Sequence, residues 1–199
     1  MLWPSPPWES VTYWSLDLET GGFDPGQDPI LSVGMVPVRE GGIRLGEGWS
    51  TLVRPEEAER IDPRSIRAHH LLPGEVRAAP PVATVLAEVD RRLRQGALLV
   101  HHAALDVRFL RRAYARHGMR WPAPPVVDTV ALLIKAARRA RFLDPNAEPE
   151  PDVNLLAARR RHGLPDYGQH DALVDAIAAA ELFLVLRRLV GARRLRDLT

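Results

Sequence analysis

The chain has 199 residues, 46 % of them hydrophobic, with 27 basic against 25 acidic side chains and a formal charge of +2, which is enough for one domain with its own core. It contains no cysteine, excluding disulfides and thiolate metal sites. No apolar run is long enough for a membrane span, and the first ten residues, with three prolines and no basic side chain, make a poor signal peptide, so a cytoplasmic location and no membrane partner are expected.

Residues 11–18 are rich in β-branched, aromatic and leucine side chains and are expected as a buried strand. Side chains two apart on a strand share a face, so Asp17 and Glu19 point one way while Trp14, Leu16 and Leu18 occupy the other. Two adjacent carboxylates at the end of a central strand repel each other and resist desolvation unless cations are present. A hard metal ion is the simplest remedy; the competing reading is a strand that runs out into solvent, with Thr20-Gly21-Gly22 as an ordinary turn. Residues 30–38 and 43–53 are expected as the second and third strands, joined as a hairpin by Gly41-Gly42. A helix over 82–93 and a strand over 97–100 follow.

Asp106 comes next, in a helix expected over 105–117 in which Val107, Leu110 and Tyr114 recur at helical spacing. It stands near a strand-to-helix junction, where loops above a sheet carry function, or serves as an N-terminal acid stabilised by the helix dipole. A short strand around Val127 precedes helices over 129–140 and 153–162. Between them residues 143–152, with three prolines and four acids, are expected as a connecting loop. The last helix, 172–190, is rich in alanine and leucine. His170 and Asp175, five apart, diverge on a regular helix of ~3.6 residues per turn. They converge only if His170 lies in a loop ahead of the helix, which Gly168 permits. An aspartate one turn into so apolar a helix is costly unless partnered; an exposed helix face is the alternative.

Charge is unevenly placed. Residues 1–100 carry 10 basic and 14 acidic side chains, and residues 101–199 carry 17 and 11. Arg108, Arg111, Arg112 and Arg116 fall in one helix, and Arg138, Arg139, Arg141, Arg159, Arg160 and Arg161 flank the acidic loop. They are either phosphate contacts or solvated helix faces. The adjacent pairs His69-His70 and His101-His102 have no chelating spacing.

Taken jointly, Asp17-x-Glu19-Thr20, His101-x-Ala103-x-x-Asp106 and His170-x-Ala172-Leu173-x-Asp175-Ala176 resemble the three motifs of the DEDDh-type 3′–5′ exonucleases. That group includes bacterial polymerase III proofreading subunits, ribonuclease T and oligoribonuclease. Further landmarks are Ile30 to Gly34, Val53 to Pro55, Ile61 to His69 with Ala79-Pro80, Val127-Asp128-Thr129, Asn154 to Leu156 and His162 to Leu164. The resemblance covers residues 11–190. Members usually carry Thr-Thr-Gly after the first glutamate, where this chain has Thr20-Gly21-Gly22, and Asn and Phe where His102 and Leu105 stand.

The elements read as an α/β layer structure, and the resemblance implies a ribonuclease H-like fold, a mixed central β-sheet flanked by helices. It further implies an N-terminal extension over 1–10, an exonuclease domain over 11–190 and a basic C-terminal tail over 191–199. Asp17, Glu19, Asp106 and Asp175 are then the ligands of two divalent metal ions, with all-oxygen donors suiting Mg²⁺ or Mn²⁺, and His170 the base that deprotonates water. Leu18, Thr20, His102 and Leu105 are the implied substrate contacts. Expected partners are 3′ ends of single-stranded DNA or RNA, with a polymerase or a second copy of the chain beside them, and the expected product is a nucleoside 5′-monophosphate. The alternative is a nucleic-acid-binding or polymerase-associated module of the same fold that has lost catalysis. Retention of all five site residues argues against it, since such a module gains nothing from uncompensated buried carboxylates.

Overall fold

In the computed structural model of the chain, residues 5–56, 61–62, 73–144, 146, 150–168 and 170–199 are described. The landmark expected over 61–69, beyond Ile61 and Asp62, and the pair His69-His70 lie outside them. The strands are β1 (Tyr13–Thr20), β2 (Ile30–Arg39), β3 (Gly42–Ile43), β4 (Trp49–Leu52), β5 (Ala97–Val100) and β6 (Val126–Asp128). The helices are α1 (Pro73–Ala78), α2 (Val82–Leu93), α3 (Ala103–Arg116), α4 (Thr129–Leu143), α5 (Leu155–Arg161) and α6 (Ala172–Leu189). Most strands and helices foreseen in the sequence form within a few residues of the expected bounds.

The sheet runs in the order β3-β2-β1-β5-β6, with β4 also paired to β2. β1 pairs antiparallel with β2 and parallel with β5, and β5 pairs parallel with β6, so the sheet is mixed. Parallel neighbours need crossover connections, and α2 and α3 supply them. Alternation along the strands divides the core in two. Tyr13, Val36, Val38, Leu99 and Val127 pack with Leu132 and Leu133 of α4 and with Phe183 and Leu186 of α6. Trp14, Leu16, Val33, Met35 and Leu98 pack on the other side with Val85 and Leu86 of α2 and with Phe109 and Leu110 of α3.

The third strand differs from expectation. Residues 43–53 do not form one strand: a 3₁₀ turn, Leu45–Glu47, divides β3 from β4. Glycines at 46 and 48 weaken the strand there, the Gly48 N–H closes the turn on the Leu45 carbonyl at 3.0 Å, and Arg39 of β2 holds Glu47 at 2.6 Å. Both halves still pair with β2.

Residues 6–8 pack against residues 193–195. The Trp8 N–H donates to the Arg193 carbonyl at 3.1 Å and the Leu195 N–H to the Pro6 carbonyl at 3.0 Å. Trp8, Ala192 and Leu198 are buried in the α6-side core. Among the described residues no helix is long and apolar enough to cross a membrane.

Helix α6 approaches the sheet unusually closely. Its sheet-facing positions Ala172, Ala176 and Ala180, spaced by four, are all buried, and the Ser15 hydroxyl of β1 donates to the Ala176 carbonyl at 2.7 Å. Gly34, opposite Asp17 in the β1–β2 register, completes the seat: a β-carbon there would overlap the Ala172 carbonyl and the Leu173 nitrogen. A glycine inside a strand marks such a close backbone approach. Gly34→Ala should therefore displace the start of α6 and lower stability by about 1–3 kcal/mol, the usual cost of overpacking, as read by urea unfolding. An unchanged unfolding midpoint would show that α6 is not seated on this glycine.

Candidate active site

The site is built at the end of the sheet where β1 and β5 both finish. Asp17 and Glu19 project from one face of β1, the face toward α6, and Glu19 is buried. Leu18 points the other way, into the core layer with Leu16 and Ile30. Thr20 closes the strand, its hydroxyl donating to the Gly22 carbonyl at 2.7 Å.

From the opposite side, α6 brings Asp175. Asp171 caps the helix by accepting from the Leu173 and Val174 N–H groups, which leaves His170 just outside it, in the left-handed region at φ 69°. The Asp175 carboxylate accepts the His170 N–H at 3.0 Å. This local loop converts a five-residue spacing into a pair on one side of the site. Glu19, His170 and Asp175 each offer a metal-ligating atom within 4.8 Å of the others.

Asp106, buried in the first turn of α3, approaches from β5. Its helix begins at His102, a second non-glycine residue in the left-handed region, at φ 73°, and His102 offers no side-chain cap. Asp128, at the end of β6, supplies the cap from a distance. Its carboxylate accepts the N–H groups of His102 at 3.1 Å, Ala103 at 3.1 Å and Val130 at 2.9 Å. One acid thus satisfies the starts of two helices. His101, half-buried beneath, ties this turn to the loop ahead of α5. Its Nε2–H donates to the Val153 carbonyl at 2.7 Å, which leaves Nδ1 to accept from the Thr129 hydroxyl at 2.7 Å. Burial pushes the His101 pKa below its ordinary value, in keeping with a neutral, structural imidazole.

Burial, with the neighbouring Asp106, Glu19, Asp175 and Asp171 carboxylates, pushes the Asp17 pKa well above the usual carboxylate value. Asp106 is raised in the same way by burial and then by Asp128 and Glu19. Burial raises Asp175 despite the opposing hydrogen bond from His170. A buried set of mutually repelling oxygen donors is the environment that a hard divalent cation relieves.

The cleft beside these groups has a volume of about 480 Å³, and Asp17, His102, Asn154, Tyr167, His170 and Asp175 are among the residues that line it. The five residues singled out for chemistry are thus gathered around one place, and His102 is exposed on the cleft wall. Leu18 packs in the apolar layer on the far face of the sheet, and the partly buried Leu105 packs against it. Sequence reasoning passed over the work of Asp128 and His101, although both lie in segments it marked as landmarks; nothing in their spacing reveals a bond to a distant backbone. Tyr167 carried no signal at all.

The RNase_T family model, described as "Exonuclease", matches residues 15–183. A DNA polymerase III subunit epsilon-like protein of Rhodobacter capsulatus is 34 % identical over 200 residues, covering 97 % of this chain and 26 % of that protein. The chain therefore spans about a quarter of that relative's length. The DNA polymerase III subunit epsilon of Treponema pallidum is 26 % identical over 178 residues, covering 89 % of this chain and 77 % of its own. Among solved structures, E. coli exonuclease I in complex with a dT13 oligonucleotide superposes with a TM-score of 0.73 at 18 % identity, over 89 % of this chain and 41 % of that one. A further exonuclease I structure gives 0.74 at 20 % identity, over 94 % and 42 %. The sheet and its flanking helices are thus a ribonuclease H-like fold, and with its match running from the middle of β1 into α6, across every element that feeds the cleft, the chain belongs to the exonuclease family.

Proposed function

We propose that the chain is a metal-dependent 3′–5′ exonuclease that removes nucleoside 5′-monophosphates from the 3′ ends of single-stranded DNA or RNA. The observation that carries this reading is the convergence of residues from β1, α3 and the start of α6: Asp17, His170 and Asp175 line one cleft, Glu19 stands beside His170 and Asp175, and the buried Asp106 carboxylate acts electrostatically on Asp17. The donor set fits hard cations: Asp17, Glu19, Asp106 and Asp175 would hold two divalent ions, Mg²⁺ or Mn²⁺. Bound there, such ions stabilise the attacking and leaving oxygens of an in-line displacement at phosphorus. His170 takes the proton of the attacking water as its oxygen bonds to phosphorus and the bond to the 3′ oxygen of the preceding nucleotide breaks; that oxygen leaves with a proton from solvent. The positive-φ backbone of His170, held by Asp175, belongs to a residue that lines the cleft, and His102 on the wall grips the terminal nucleotide. Association with a polymerase is supported by the names of the relatives.

Metal linkage is the first test. Asp17, Asp106 and Asp175 have folded-state pKa values above their unfolded ones. Their contribution to stability is complete below the unfolded carboxylate value of ~3.9 and is lost as pH rises through the raised values. Metal-free protein should therefore lose stability as pH rises above the ordinary carboxylate value, and the melting-temperature increase given by Mn²⁺ should grow with pH. Asp17→Ala should remove that increase together with activity; an equal increase in the variant would show the ligands to be misassigned.

Polarity is read on 5′-labelled oligonucleotides. These should shorten as a ladder with nucleoside 5′-monophosphates as the released species, and a 3′-blocked strand should resist. Cutting of a closed circular single strand would instead mark an endonuclease.

Base and ligand separate by mutation. His170→Ala should lower turnover by ~10²- to 10⁴-fold, the usual share of a general base, with Mn²⁺ affinity by calorimetry nearly unchanged, whereas Asp175→Ala should damage both. Because a ring nitrogen of His170 lies within 4.8 Å of carboxylate oxygens of Glu19 and Asp175, close enough to share an ion with them, a loss of Mn²⁺ affinity in His170→Ala as large as in Asp175→Ala would make the histidine a ligand and not the base.

A further inference from the structure

The cleft contains one well-anchored group that the chemistry above does not use. Tyr167 lies on its wall together with Asp17, His102, His170 and Asp175, and it is held on two sides. Its hydroxyl donates to Glu181 Oε1 at 2.9 Å, and the Arg159 guanidinium carbon stands 4.6 Å from its ring centroid. Arg159 is only 1 % exposed and is itself committed: it donates to the carbonyls of Ala178 and Pro165 and to Glu181 Oε2, each at 2.7 Å. Glu181, one side chain on α6, therefore fixes both the phenol and the cation beneath the ring. Yet Tyr167 remains 37 % exposed. The ring is thus anchored and at the same time presented to the cleft.

We propose that the Tyr167 ring is the stacking platform for the nucleobase of the 3′-terminal nucleotide, an assignment that rests on the exonuclease reading above. Three physical points lead there. Every base has a π face, so stacking grips any terminal nucleotide without reading its sequence, as an enzyme that removes one residue after another requires. A ring already held by Glu181 and Arg159 loses little conformational freedom when a base settles on it. A cleft of about 480 Å³ falls within the ~300–1,000 Å³ range of small-molecule sites, which suits the one nucleotide about to be released.

The test separates the base from the sugar phosphate. Hydrolysis of a 5′-labelled oligothymidylate with Mn²⁺ is inhibited by the product dTMP or by 2-deoxyribose 5-phosphate, which keeps the phosphate and sugar but lacks a base. For the wild type, dTMP should inhibit at least about fivefold more tightly, the equivalent of ~1 kcal/mol of stacking. Tyr167→Phe and Tyr167→Trp keep a π face and should preserve that ratio. Tyr167→Ala should bring the two inhibitors to within about twofold of each other while leaving inhibition by the sugar phosphate in place. If Tyr167→Ala melts below the assay temperature, Tyr167→Leu, which fills the space without a π face, should give the same collapse. A wild-type ratio in the alanine and leucine variants overturns the proposal. So does a loss in Tyr167→Phe as large as in Tyr167→Ala, because the hydroxyl bond to Glu181 would then be what matters. A wild-type enzyme that shortens 3′ ends with a base preference indifferent to Tyr167 removes the platform alone, whereas a wild-type protein that never shortens 3′ ends removes the exonuclease reading and the platform with it.

Discussion

The seating of α6 on the sheet is the contact on which the rest of the site depends. Alanines at 172, 176 and 180 and the glycine at 34 let helix and strand backbones meet without intervening side chains, and the Ser15 hydroxyl bonds the helix to β1. Because Gly34 stands opposite Asp17 in the strand register, the point of closest approach is also the point where the carboxylates gather. Larger residues at these positions would lift the start of α6 by the thickness of a side chain. Asp175 and His170 would then leave the reach of Glu19, although every motif residue would still be present in the sequence.

That closeness has an electrostatic cost. Two like charges 4 Å apart repel by about 4 kcal/mol at an effective dielectric of 20, a large part of the ~5–15 kcal/mol by which a domain is stable. Burial first, and then repulsion from the neighbouring carboxylates, raises the pKa values of Asp17, Asp106 and Asp175. Protons or divalent cations would relieve that repulsion. The anchors around the site make the cost tolerable: Asp128 ties down the turn at His102, the half-buried His101 binds Val153 and Thr129, and Asp175 holds the His170 backbone. Two residues with positive φ, His102 and His170, stand on either side of the cleft, where local strain is sustained by the hydrogen bonds that surround it.

The far end of the cleft is organised by different means. Around Arg159 the charge is neutralised internally by Glu181 and two carbonyls, and an aromatic surface is left facing the opening. One end of the cavity thus holds oxygen donors, and the other holds a fixed ring, a division that fits the phosphate and the base of the proposed nucleotide.

The sequence by itself determined the alternation of β1, which puts Asp17 and Glu19 on one face, the helical bounds of α2 and α6, the strand β5, and the need for His170 to lie outside its helix. These follow from local rules, since strand and helix periods and backbone preferences act over a few residues. The five residues proposed for the site were nominated by a joint motif pattern whose separate pieces are each weak. Only the tertiary structure decided the break of the third strand at Leu45–Glu47, where two glycines and the Arg39–Glu47 pair outweigh the strand pattern. It alone revealed Gly34 as the seat of α6, Asp128 as a remote cap for α3, and the Tyr167–Arg159–Glu181 assembly. Each of these joins residues from elements far apart in the chain, and the hydrogen-bonding or steric demand that selects them exists only once the elements have met.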